Sequence, residues 1–117
     1  MPRILVVEDD NDVRLLWEHV LLEADYEVDV TGTVEGGCEL IGCRDYDLIV
    51  ADGRLHDGTG MMVADTAREK GVPALIVTGY GFIYDELRGD PPGYGVLLKP
   101  IRPSELLEAV ARALEAT

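Results

Sequence analysis

A chain of 117 residues, 47% hydrophobic and 28% charged, has the balance of one soluble globular domain and no room for a second. Its formal net charge of −13 argues against direct nucleic-acid binding, which depends on neutralising phosphates with Lys and Arg. No apolar run approaches the roughly 18 residues of a membrane span, so no membrane association is expected.

Residues 3–7, RILVV, form a short continuous apolar run of the type that fills a strand buried on both faces. From Asn11 to Ala24 the residues Val13, Leu16, Trp17, Val20 and Leu21 recur at helical spacing, with Asp10 or Asn11 as cap and Asp12 in the first turn. YEVDV (26–30) alternates and predicts a more exposed strand. Residues 33–43 predict a weaker helix, because Gly36, Gly37 and Gly42 each cost about 1 kcal/mol relative to Ala. DLIVA (47–51) is a third strand, Met61 to Glu69 a third helix, and ALIVT (74–78) a fourth strand after Pro73. In the following GYGFIYDELRGDPPG any helix is short, since Gly89 and the Pro91–Pro92 pair end it. GVLL (95–98) is the fifth strand. Pro103 suits the first position of a last helix and Glu105 its third, with Leu106, Leu107, Val110, Ala111 and Leu114 as the buried stripe.

Five strands alternating with five helices imply a parallel sheet covered on both faces. Right-handed crossovers bring the carboxyl ends of all strands to one edge, where ligands bind at the topological switch point. The residues at those ends are therefore the ones to weigh: Glu8, Asp9 and Asp10 after the first strand, Asp52 after the third, Thr78 closing the fourth and Lys99-Pro100 after the fifth. Clustered carboxylates repel one another unless a cation or a proton intervenes, and hard divalent cations take oxygen ligands. An acid with a lysine and a hydroxyl beside it is what phosphoryl transfer needs: a nucleophile, a metal clamp and donors to oxygen. Lys99 stands out further because the chain has two lysines against eight arginines. Cys38 and Cys43 suit neither a disulfide framework nor a zinc knuckle and read as helix-core or surface thiols.

ILVVEDD, DLIVADGRL…DGTG, ALIVTG and LLKP, in this order and at these separations, resemble the receiver domain of two-component response regulators, over essentially the whole chain. The resemblance implies a flavodoxin-like, doubly wound (βα)5 three-layer sandwich with strand order 2-1-3-4-5, and a single receiver domain over 1–117 with no output domain. It implies that Asp52 is the phosphoacceptor. Glu8, Asp9, Asp52 and the backbone carbonyl of Arg54 would hold Mg²⁺, Thr78 would be the switch hydroxyl and Lys99 the lysine that pairs with the phosphoryl group. The Lys99–Pro100 bond would be cis. The implied phosphodonor is a sensor histidine kinase or a histidine phosphotransfer protein. The output is a protein target read through the fourth helix, fifth strand and last helix, a surface that could also make a homodimer. Such a chain catalyses only its own phosphorylation and dephosphorylation, and its expected location is the cytoplasm; Glu8, Asp9 and Asp10 break up what would otherwise be the apolar core of a signal peptide.

The departures are His56, where the family usually has proline, and Val96, where it usually has an aromatic switch residue; Tyr94 is out of register for that role. The resemblance implies that Arg54 and Tyr80 flank the route of an attacking water. Of the other aspartates, Asp47 is expected to serve the turn before the third strand, and Asp57 to cap the third helix or simply be solvated. His56 reads as a solvated loop histidine. The alternatives are a degenerate receiver acting as a phosphorylation-independent interaction module, and a phosphatase of the haloacid-dehalogenase kind. The latter wants D-x-D-x-T/V after the first strand, which VVEDDND does not supply. No G-x-x-x-x-G-K-[ST] is present for a nucleotide cradle.

Overall fold

The apolar residues of each strand divide between two sides of a sheet, and that division builds the molecule. In the computed structural model, which describes residues 1–81, 84 and 94–115, five parallel strands run as β1 (Arg3–Val7), β2 (Glu27–Thr31), β3 (Leu48–Asp52), β4 (Ala74–Thr78) and β5 (Tyr94–Leu98). Their order is 2-1-3-4-5, that of a flavodoxin-like doubly wound sheet. Successive side chains of a strand point to opposite faces. Leu5, Val7, Ile49, Ala51, Ala74 and Ile76 accordingly pack under α2 (Val34–Cys43) and α3 (Gly60–Glu69). Ile4, Val6, Leu48, Val50, Leu75 and Val77 pack under α1 (Asn11–Glu23) and the C-terminal helix (Pro103–Glu115). β3 and β4 are buried along their whole length and β1 from Ile4 on, while β2 is a half-exposed edge. The predicted short fourth helix lies outside the described residues, as does the side chain of Tyr94. Among the described residues no helix is long and apolar enough to cross a membrane.

The observed elements refine several expectations. β3 is shifted by one residue, so that Asp52 ends the strand and Asp47 precedes it, its carboxylate accepting the Arg3 N–H at 2.8 Å. Asp10 is the cap of α1, accepting from the N–H groups of Asp12 and Val13. Glu105 reaches back to the Arg102 N–H at 3.0 Å, completing half a capping box at the last helix. In α1 the expected stripe is only partly covered: Trp17 and Leu21 are buried, but Leu16 is 49% exposed.

The glycine-rich helix α2 is held from outside. Asp57 does not cap α3; its carboxylate accepts the Val34 and Glu35 N–H groups, at 2.8 and 3.1 Å, and so closes the start of α2. These bonds to the charged form hold its carboxyl below the ordinary range. At the other end the Lys70 ammonium donates to the Ile41 and Arg44 carbonyls, at 2.6 and 3.2 Å. Two of the glycines allow close approach to the sheet. A Cβ on Gly36 would stand 2.2 Å from Thr31 Oγ1, and one on Gly37 3.1 Å from Val7 Cγ2, whereas Gly42 has nothing within 4 Å.

Gly42→Ala is therefore expected to stabilise the protein by up to about 1 kcal/mol, and Gly36→Ala to destabilise it, in thermal denaturation. Lys70→Met should cost on the order of 1 kcal/mol by the same measurement, since it strips a partly exposed charged donor from the end of α2.

Candidate functional site

Because the strands are parallel, their last residues converge. Asp52 ends β3, Glu8 and Asp9 follow β1, Thr78 ends β4 and Lys99 follows β5. The register places Val7 beside Ala51, Asp52 beside Val77 and Thr78 beside Leu98, so these positions are neighbours across the sheet. The Lys99–Pro100 bond is cis. The structure brings Glu8, Asp9, Asp52, Arg54 and Lys99 to one depression of about 540 Å³, with His56 and Tyr80 on its walls.

The Lys99 ammonium donates to Glu8 Oε1 at 2.8 Å and to Asp52 Oδ2 at 3.1 Å. Glu8 is wholly buried, and loss of hydration together with a hydrogen bond to the Asp52 carboxyl pushes its carboxyl up to about 7, against the opposing pull of Lys99. Burial works against the Lys99 charge, yet the two carboxylates hold the ammonium above its ordinary value. Asp52 Oδ1 accepts the Arg54 N–H at 3.3 Å. Ligand oxygens of Glu8, Asp9 and Asp52 all lie within 4.8 Å of one another, close enough to share one cation. Three acids around a single ammonium leave surplus negative charge, so the donor set suits a hard divalent ion.

Thr78 is buried one step behind this depression. Its hydroxyl accepts the Tyr80 N–H at 3.1 Å, and its carbonyl accepts the Lys99 N–H at 2.7 Å. A Cβ on Gly53 would stand 2.8 Å from Thr78 Oγ1, and one on Gly60 2.1 Å from the Asp52 carbonyl oxygen. Glycine at these two positions is what lets the loop after β3 close against Thr78 and the start of α3 against the Asp52 carbonyl.

Several contacts were not foreseeable from spacing. The Arg54 guanidinium stacks over the Tyr80 ring at 5.0 Å, and Lys99 Nζ lies 5.3 Å from the ring centre of Trp17. His56 is a solvated loop histidine, its side chain 89% exposed, with Nε2 3.3 Å from Asp9 Oδ2.

Residues 4–111 match the sequence profile of the response regulator receiver domain. The regulatory protein LuxO of Vibrio cholerae is 34% identical over 112 residues, covering 93% of this chain and 25% of LuxO. The cell cycle response regulator CtrA of Brucella ovis is 34% identical over 113 residues, covering 92% of this chain and 48% of CtrA. This chain thus spans a quarter to about half the length of these relatives. Among solved structures, the response regulator TrrA of Thermotoga maritima, in complex with Mg²⁺-BeF, superposes with a TM-score of 0.83 at 28% identity, covering 97% of this chain and 99% of TrrA. Receiver domains are signalling switches rather than classical enzymes, and they work with kinases and downstream effectors. With its parallel sheet ordered 2-1-3-4-5 and its acids gathered at the carboxyl edge, the chain belongs to the response regulator receiver domain family.

Proposed function

We propose that this chain accepts a phosphoryl group on Asp52 from a phosphohistidine of a sensor kinase or phosphotransfer protein. The observation that carries the reading is the Lys99 bridge between the Glu8 and Asp52 carboxylates at the edge where ligands bind in such sheets. A carboxylate oxygen of Asp52 attacks phosphorus, the P–N bond breaks, and the donor imidazole leaves; the product is a mixed anhydride. Lys99 balances charge on the phosphoryl oxygens. Thr78, whose hydroxyl oxygen accepts the Tyr80 N–H, keeps its own proton to donate to one of those oxygens.

Glu8, Asp9, Asp52 and the Arg54 carbonyl would hold Mg²⁺, consistent with the crowding of the three carboxylates and with the Mg²⁺-BeF complex of TrrA. When bound, the ion supplies neutralisation of the transferring charge and orientation of its oxygens. The added phosphoryl charge of about −1.5 to −2 would then bias the surface around the fifth strand and last helix toward a protein target. Tyr80, over which Arg54 is stacked, would shield the anhydride from water.

Incubation with Mg²⁺ and a small acyl phosphate is expected to add the mass of one phosphoryl group, absent in Asp52→Asn. An adduct on that variant, or none on the wild type, would reject this function and leave a phosphorylation-independent interaction module. Lys99→Ala should slow adduct formation roughly 100-fold, as for removal of one preorganised charge-stabilising donor.

Decay of the phosphorylated protein should be faster in Tyr80→Ala than in wild type; equal or slower decay would remove the shielding role. In chelator, Glu8 links stability to pH. Between its ordinary 4.5 and about 7 the folded chain holds a proton that the unfolded chain has released, so stability falls as pH rises through this window. Melting at mildly acidic and mildly alkaline pH should differ by on the order of 3 kcal/mol at most, with the acidic form more stable. Glu8→Gln should flatten the difference.

A further inference from the structure

The turn that carries Asp9 from β1 into α1 is gripped by a side chain that the proposed chemistry does not use. Arg14, in the first turn of α1, folds its guanidinium back over the start of its own helix. Its Nη1 donates to the Glu8 carbonyl at 2.9 Å, and its Nη2 donates to Asn11 Oδ1. Glu8 and Asn11 stand on either side of Asp9 and Asp10, so one planar fork spans the turn from end to end. Other bonds fix the same stretch from elsewhere: the Glu8 N–H donates to the Thr31 carbonyl at 3.0 Å, and the Asp10 N–H to Glu8 Oε2 at 3.3 Å. Gly32, just after β2, leaves the space that the fork occupies. A Cβ there would stand 3.0 Å from Arg14 Nη1 and 3.7 Å from the Glu8 carbonyl oxygen.

Resting on the reading of Glu8, Asp9 and Asp52 as a cation site, we propose that Arg14 is a positioning residue for that site. Its two-armed grip on the residues flanking the turn holds the Asp9 carboxylate where it shares a cation with Glu8 and Asp52, all within 4.8 Å of one another. Arg14 does not line the acidic depression, so it acts through the turn and not on the ligand. Charge and geometry demand opposite outcomes here. A guanidinium near the acids repels a cation, so its removal as a mere charge would tighten cation binding. Its removal as a grip frees the turn, and Asp9 must then be ordered each time an ion binds. The second effect dominates, because a charge outside the depression is screened by water and salt, whereas the partners that orient metal ligands change affinity about 10- to 100-fold.

The test is calorimetric titration of the full chain with Mg²⁺ in wild type, Arg14→Met and Arg14→Lys, each checked for folding by circular dichroism. Arg14→Met, which removes both the fork and the charge, is expected to bind Mg²⁺ about tenfold more weakly. Arg14→Lys keeps the charge but replaces the fork with a point donor, and should bind about threefold more weakly. Phosphorylation by a small acyl phosphate should need correspondingly more Mg²⁺ in Arg14→Met, while its rate at saturating Mg²⁺ stays within about twofold of wild type. A general loss of stability would not separate the two in this way. Mg²⁺ affinity unchanged or raised in Arg14→Met, or a rate that stays low however much Mg²⁺ is added, would overturn the positioning role while leaving the acidic site intact. Arg14→Lys binding Mg²⁺ as wild type does would overturn the two-armed grip. If wild type itself binds no Mg²⁺, the cation reading fails and the positioning role fails with it.

Discussion

A carboxyl group wholly removed from water at the end of β1 is the constraint around which the site is arranged. Buried acids are stable only when paired or protonated. Glu8 meets that demand through Lys99, which reaches it from the far side of the sheet after β5 and engages Asp52 in passing. One ammonium thus joins elements 91 and 47 residues away in sequence. The remaining negative charge, with Asp9 beside it, is unbalanced by protein groups alone. In the proposed function, that imbalance is what would make the cluster receptive to a cation and to a phosphoryl group whose oxygens Lys99 would take over.

The sheet supplies the precision. Alternate side chains of β1, β3 and β4 fill separate cores above and below, so each strand is locked against rotation by packing on both faces. The site residues begin where that packing ends. Gly53 and Gly60 then let the connecting loop close on Thr78 and on the Asp52 carbonyl with no intervening side chain.

Much of this was legible in the sequence, for a definite reason. Short apolar runs separated by helical periodicities specify a parallel sheet, and a parallel sheet specifies which residues meet. Glu8, Asp9, Asp52 and Lys99 could therefore be placed together before any coordinate was known. What escaped depends on distances between segments that periodicity does not encode. Asp57 lies just ahead of α3 yet caps α2, whose first residue is 23 positions earlier in the chain. Lys70 closes the other end of the same helix from 26 and 29 positions away. Gly36 and Gly37 resembled helix weakness, but their missing Cβ atoms are what seat α2 on the sheet.

The contact between Lys99 and Trp17 carries a practical consequence. Trp17 is the chain's sole tryptophan, buried in α1, with the ammonium 5.3 Å from its ring centre. Indole emission responds to nearby charge, so any change that draws the ammonium away from its present place is expected to alter the emission of Trp17, an optical gauge that needs no added label.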